Sequence, residues 1–287
     1  MTAPLILGTA QFGAAYGITN AVGRLTDAAV AAIVETALDG GVVDFDTAQA
    51  YGDAEERLGR VMRDRAVTVR AITKFAVADV DPHDLVASLS RSVARLGCSR
   101  LDVLLHRPSD VHDPAWPVVL DGLRRARDAG VLTGFGVSVY DLAELTELVD
   151  AMPDLDLVQV PGSIVDRRLL SSALLADLAA HGVEVHVRSA YLQGLLLAAV
   201  DDLPAGFEAL APVLDDLDAA ARVAGTSRLP LLLTPLVTDP LVSGVVVGAT
   251  NAAEVQASLA AAANPVGAST VVVPLPDEIL DPRRWSA

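Results

Sequence analysis

Eight short apolar runs, each followed by a longer stretch of helical periodicity, recur along this chain of 287 residues. The runs are Leu5–Thr9, Val42–Thr47, Val69–Lys74, Leu101–His106, Gly134–Ser138, Leu157–Val160, Val183–Arg188 and Gly244–Val247. Their length and their content of Val, Leu and Ile are those of buried strands. Between them the spacing predicts helices over Asp27–Leu38, Ala54–Arg63, Pro82–Leu96, Pro114–Ala129, Asp141–Asp150, Arg168–Ala180, Phe207–Ala224 and Asn251–Ala262. Thr26 and Asp81-Pro82 resemble helix caps, and Gly40, Gly97, Gly130 and Gly182 follow helices as stops. Eight strand–helix pairs in ~250 residues predict an α/β fold with a single (β/α)8 TIM barrel. A doubly wound sheet is the rival, but no G-x-G-x-x-G follows the first strand. Nothing divides the chain, so residues 1–287 are expected to be one domain, with 264–287 as a C-terminal tail and Val271–Leu275 lying against the barrel. Pro230 and Pro235 predict a kinked or broken helix before the eighth strand.

Composition narrows the function. Hydrophobic residues make up 52% and charged residues 20%, which suits a well-buried globular protein and excludes disorder. The net charge of −16 repels nucleic acid and anionic membranes, and no basic patch offsets it. An anionic ligand would need local arginines to hold it against that field. A single cysteine, Cys98, allows no internal disulfide, and no Cys/His cluster resembles a metal site. The apolar runs are too short to span a bilayer, and Met1-Thr2-Ala3-Pro4 has no basic region ahead of its apolar run, so a cytoplasmic protein is expected. Nothing in the sequence sets the oligomeric state, for which monomer or weak dimer is the expectation.

Of 21 basic residues only Lys74 is lysine; the other twenty are arginine. A bias toward arginine at the surface makes a lysine kept inside a buried strand informative. Arginine never yields its proton and presents a wide planar fork, whereas lysine is a compact, tunable point charge. In a barrel the active site lies at the carboxyl ends of the strands. Those ends carry Asp46, Lys74, His106, Ser138, Gln159 and Arg188-Ser189, with Tyr51 in the loop after the second strand. A period of two puts Asp44 with Asp46, Ile72 with Lys74 and Leu104 with His106 on one face. If those faces point inward, Asp46, Lys74 and His106 converge beneath Tyr51. Each alone could be an ordinary core or loop residue; four together at one rim are harder to dismiss. A phenol titrates near ~10, an adjacent ammonium lowers that value, and a carboxylate keeps the ammonium charged. Asp46–Lys74–Tyr51 therefore reads as a relay for a general acid, with His106 orienting a carbonyl oxygen. None of these groups supplies hydride, so a nicotinamide cofactor is implied.

At this point the sequence strongly resembles the aldo-keto reductase superfamily, from about Leu5 to about Ala263. The resemblance is carried by Asp44-Phe45-Asp46-Thr47-Ala48 with Tyr51-Gly52, Thr73-Lys74, and Leu104-Leu105-His106-Arg107-Pro108. Gly136-Val137-Ser138, Val158-Gln159, Leu192-Gln193-Gly194-Leu195-Leu196 and Val247-Gly248-Ala249 extend it. It implies a carbonyl reductase with Asp46, Tyr51, Lys74 and His106 as its catalytic tetrad. It also implies that Ser138 and Gln159 hold the nicotinamide carboxamide. Leu192, Gln193 and Gly194 would pass along the pyrophosphate, and Gly248, Thr250 and Glu254 would meet the adenosine end. Gly8, Thr9, Arg188 and Ser189 complete the expected cofactor-binding set, with no metal. The expected cofactor is NADPH, with NADH the alternative, and the partner a small-molecule carbonyl such as a keto-sugar.

The chain departs from the family pattern at several positions. Val139 stands where Asn is common, and Gly162-Ser163 where a Tyr-Asn pair is common. Arg188 replaces the aromatic that usually stacks on nicotinamide, and Thr250 replaces the Arg or Lys that often grips the 2′-phosphate. A regulatory nicotinamide sensor without turnover is therefore the alternative to an enzyme. A Schiff-base aldolase using Lys74 would leave Tyr51 and His106 unexplained.

Overall fold

The computed structural model describes residues 2–267 and 275–285. Eight parallel strands close into a barrel in the order of the chain. They are β1 (Leu5–Gly8), β2 (Asp44–Asp46), β3 (Arg70–Phe75), β4 (Arg100–Leu105), β5 (Gly134–Ser138), β6 (Leu157–Pro161), β7 (Glu184–Arg188) and β8 (Gly244–Val247). The ring closes where β1 pairs with β8, Leu5 opposite Val245. The helices that follow are α1 (Ala10–Gly13), α2 (Asp27–Asp39), α3 (Ala54–Asp64), α4 (Leu85–Leu96), α5 (Trp116–Asp128) and α6 (Leu142–Ala151). They continue as α7 (Ala173–Ala180), α8 (Ala211–Ala224), α9 (Arg228–Val237), α10 (Ala252–Ala263) and the short α11 (Asp277–Leu280). None of the described helices is long and apolar enough to cross a membrane.

The period of two sorts the barrel interior into layers. Ile6, Ile72, Leu104 and Leu157 form a small buried cluster of their own, separate from the large core between sheet and helices. One step toward the strands' amino ends lies an ionic layer. There Arg70 binds Asp102, reaches Glu184 at 2.8 Å and Asp44 at 3.7 Å, and His186 contacts Glu184 at 3.2 Å. This ionic layer forms the barrel's floor. One step toward the carboxyl ends are Gly8, Asp46, Lys74 and Gln159, with His106 directly after β4.

Helix placement departs from expectation in three ways. Helix α4 begins at Leu85 rather than Pro82, because Asp81 turns its carboxylate onto the His83 amide at 2.9 Å. Helix α7 begins at Ala173 rather than Arg168, with Ser172 as its cap accepting from the Leu175 amide. The seventh barrel helix is α9, not the predicted Phe207–Ala224. Leu233, Leu236 and Val237 of α9 join the main core, while Val213, Leu214 and Leu217 of α8 pack in a second cluster with Phe207, Ile279 and Leu280. Pro230 falls in the first turn, where a missing amide has no helical partner to lose, and the helix continues through Pro235, so the predicted break is absent. The tail expectation for Val271–Leu275 lies outside the described residues except for Leu275, which packs on that second cluster. Trp285 meets Phe207 edge to face at 5.1 Å.

Candidate active site

Asp46, Lys74 and Gln159 are buried and linked. The Lys74 ammonium donates to Asp46 Oδ1 at 2.6 Å, Asp46 Oδ2 at 2.7 Å and the Thr47 carbonyl at 2.9 Å, which uses all three of its protons. Gln159 Nε2 donates to Asp46 Oδ2 at 2.7 Å, and Ser138 Oγ donates to Gln159 Oε1 at 3.4 Å. Tyr51 lies beside the pair, with Lys74 Nζ 5.4 Å from the centre of its ring, within cation–π range. Its turn is fixed from below: the Tyr51 amide donates to the Ala48 carbonyl, and its own carbonyl accepts from Ala54.

Two cavities open on this cluster. Lys74 and His106 line one of 820 Å³, together with Gln49, Tyr140 and Arg283. Asp46 and Tyr51 line a groove of 440 Å³, so the four residues form the wall between the two. The groove is bordered by Gly8, Thr9, Gln159, Arg188 and Ser189, then by Gln193, Gly194, Gly248, Thr250 and Glu254. These are the residues expected to bind the cofactor, with two exceptions. Ser138 lies buried beneath Gln159 and lines neither cavity, and the Leu192 side chain is buried in the second cluster.

Burial sets the electrostatics. The Tyr51 hydroxyl is pushed well above the ordinary phenol value, by desolvation first and by Asp46 second, with Arg188 opposing. The expectation that Lys74 lowers it is not met. The ammonium is matched by Asp46 at contact distance, and desolvation lowers the proton affinity of Lys74 itself. Tyr51 therefore stays a protonated donor through neutral pH. Desolvation, then Lys74, Arg188 and Arg107, hold His106 below the usual imidazole value, so it offers one N–H from a neutral ring.

The walls of the groove are strained and tied across. Ser189, Leu192 and Gln193 adopt left-handed φ values of 65°, 48° and 52°, a conformation costly for residues with a Cβ. Thr19 Oγ1 donates to the Gln193 carbonyl at 3.0 Å, and the Ile18 amide donates to Gln193 Oε1 at 3.2 Å. A Cβ on Gly194 would stand 2.0 Å from Thr19 Oγ1, so only glycine allows this approach. At the far end, Asn251 caps α10 and Glu254 turns back onto the Thr250 amide at 2.7 Å.

Tyr140, Arg283 and Gly13 also shape the site, and the sequence did not single them out. The Arg188 guanidinium, expected at the nicotinamide's stacking position, lies 4.0 Å over the Tyr140 ring and donates to the Val139 carbonyl at 2.9 Å. Arg283 lies 4.1 Å over the same ring. Tyr140 shares the period-two face of Ser138, which was a usable signal; nothing local pointed to Arg283. Gly13 packs against the Tyr51 turn so closely that a Cβ would fall 1.7 Å from the Tyr51 carbonyl oxygen.

The groove suits an extended dinucleotide. Gly8, Gly17, Gly194 and Gly248 let backbone approach a ligand, and Thr9, on its lining, has a buried hydroxyl with no protein partner. A barrel with this rim matches known proteins. The family model described as "Aldo/keto reductase family" matches residues 4–271, and the chain belongs to that family. The family is one of NAD(P)H-dependent oxidoreductases. An aldo-keto reductase of a Mycobacterium species is 31% identical over 136 residues, spanning 45% of this chain and 46% of that protein. The L-glyceraldehyde 3-phosphate reductase of Escherichia coli K12 is 25% identical over 272 residues, covering 81% of this chain and 78% of that protein. Among solved structures, the holo form of an aldo-keto reductase from Bacillus halodurans superposes with a TM-score of 0.72 at 19% identity, covering 99% and 96% of the two chains. One from Klebsiella pneumoniae in complex with NADP and acetate has a TM-score of 0.67 at 20% identity, covering 92% and 87%.

Proposed function

We propose that this protein reduces a small polar aldehyde or ketone to the alcohol, with NADPH as reductant and Tyr51 as proton donor. The observation that carries the reading is the wall of Asp46, Tyr51, Lys74 and His106 between the cavity and the groove. Substrate belongs in the cavity and the dinucleotide in the groove. Gln159, Arg188 and Ser189 would hold its nicotinamide end, Gln193 and Gly194 its pyrophosphate, and Gly248, Thr250 and Glu254 its adenosine. When bound, the reduced nicotinamide supplies the hydride that the carbonyl carbon accepts. The neutral His106 donates a hydrogen bond to the carbonyl oxygen and fixes its direction. Tyr51 delivers its proton to that oxygen as charge develops there. Lys74, held in place by Asp46, lies against the Tyr51 ring and keeps the phenol in position. The name of the Escherichia coli relative, a glyceraldehyde 3-phosphate reductase, and the charged side chains of Asp79, Arg107, Glu144 and Arg283 on the cavity favour a small hydrophilic carbonyl.

The test is consumption of NADPH with a panel of short aldehydes and keto-sugars, on wild type and Tyr51→Phe. General acid catalysis contributes roughly 10²–10⁴ in rate, so Tyr51→Phe should lose at least ~10²-fold in kcat while still binding NADPH. Turnover within tenfold of wild type removes Tyr51 from its role. An inert panel alongside tight NADPH binding favours the sensor instead.

A further inference from the structure

Arginines in this acidic chain are mostly neutralised where they stand. Arg70 is held by Asp102, Arg95 by Glu55, Arg124 by Asp154 and Arg228 by Asp218. Among the described residues Arg63, Arg100, Arg188, Arg222 and Arg107 have no such partner, and of these five only Arg107 lines the 820 Å³ cavity. It follows His106 directly, its side chain is exposed, and it lines the 820 Å³ cavity with His106 and Lys74. Among the described residues no carboxylate lies within ion-pair distance of it. It does not line the groove, so phosphates of a dinucleotide do not account for it.

We infer that the cavity is built for a carbonyl compound carrying an anionic group, a phosphate or a carboxylate, and that Arg107 receives that group. This rests on the reductase reading above. Two carboxylates line the same cavity, Glu144 and Asp79. Glu144 is committed to Arg283 and to the Tyr140 amide. Asp79 is exposed on the turn after β3. Lys74, Arg188 and Arg107 each lower the proton affinity of the His106 imidazole, as nearby positive charges do. Positive charge thus lies close to the ring that would orient the substrate, inside a molecule of net charge −16. A neutral carbonyl gains nothing from an exposed guanidinium beside it. An anionic one needs it, because the molecule's overall field repels anions. The guanidinium fork matches both phosphate and carboxylate, by paired N–H donors.

The test compares kcat/KM across two matched pairs, with NADPH saturating: glyceraldehyde 3-phosphate against glyceraldehyde, and succinic semialdehyde against butanal. Wild type is expected to favour the anionic member at least ~10-fold in one or both pairs, and the arm that shows it identifies the anion. Arg107→Gln should lower kcat/KM for that anion by about 10–100-fold, mainly through KM, and bring the ratio near one. Arg107→Lys should restore part of the preference. NADPH binding by fluorescence quenching shows that each variant is folded. Equal use of neutral and anionic members in both arms, or an equal fall for both in Arg107→Gln, overturns the inference and leaves the reductase reading standing. A panel in which nothing is reduced overturns both.

Discussion

At the scale of residues, Lys74 has no spare donor: its three protons go to Asp46 Oδ1, Asp46 Oδ2 and the Thr47 carbonyl. A guanidinium carries the same charge on a wider, planar frame that this closed pocket cannot admit. Lys74→Arg is therefore expected to lose nearly as much kcat as Lys74→Met, both measured by NADPH consumption. Near-normal turnover in the arginine variant would show that only charge matters there. The same burial governs pH. The proposed mechanism needs Tyr51 protonated, and its hydroxyl is raised above the ordinary value near ~10. Deprotonation on the alkaline side thus begins only above that value. The kcat/KM of reduction should stay flat from about pH 7 to about pH 9. A tenfold fall by about pH 9 would mean that bound cofactor retunes the phenol.

Between elements, the site depends on contacts that no single segment contains. Helix α1, in the loop after β1, places Gly13 against the Tyr51 turn, and Gly52 there has a left-handed φ of 57°. Its own Cβ would lie 2.8 Å from the Gly13 carbonyl oxygen, so both sides of the contact are glycine. Gly13→Ala must push the turn away and move the phenol. A displacement near 1 Å costs on the order of 10²-fold in rate when geometry carries the reaction. The expected result is a kcat about 100-fold lower with a much smaller change in NADPH affinity, since most of the groove's border lies away from the Tyr51 turn. Activity within twofold of wild type would show that the turn can give way. The exchange of α8 for α9 follows the same logic. Both helices have leucine-rich faces, but α9 ends beside β1, where the Ala3 amide donates to the Val237 carbonyl at 2.7 Å.

Across the whole molecule, charge bears on the choice of cofactor. The net charge is −16, and the adenosine end of the groove carries Glu254 bound to Thr250 rather than a cation. A charge-assisted hydrogen bond to a clamped phosphate contributes about 1.5–3 kcal/mol, a factor of roughly 10–100. Without that clamp, dissociation constants of NADPH and NADH are expected to differ by less than about 100-fold. Glu254→Gln should tighten NADPH more than NADH. Fluorescence quenching measures both, and a preference for NADPH of about a thousandfold would reveal a grip on the 2′-phosphate from elsewhere.

The barrel and its rim were readable because both follow from local periods. Alternation of strand and helix counts the units, and the two-residue repeat carries Ile72 to Lys74 and Leu104 to His106 on one inward face. Strand ends moved by a residue or two, as at β3 and β4, without changing which side chains face inward. What the sequence by itself determined is thus the fold and which four polar residues, Asp46, Tyr51, Lys74 and His106, meet at the rim. Tertiary structure alone decided which of two apolar helices closes the barrel, because that depends on what each packs against. It also decided that Arg188 and Arg283 sandwich Tyr140, residues that meet only when the tail returns to the rim. The proton affinity of Tyr51 was decided there too. A nearby lysine says how a phenol could be tuned, but burial and the Asp46 contact determine the outcome, and both exist only in the folded chain.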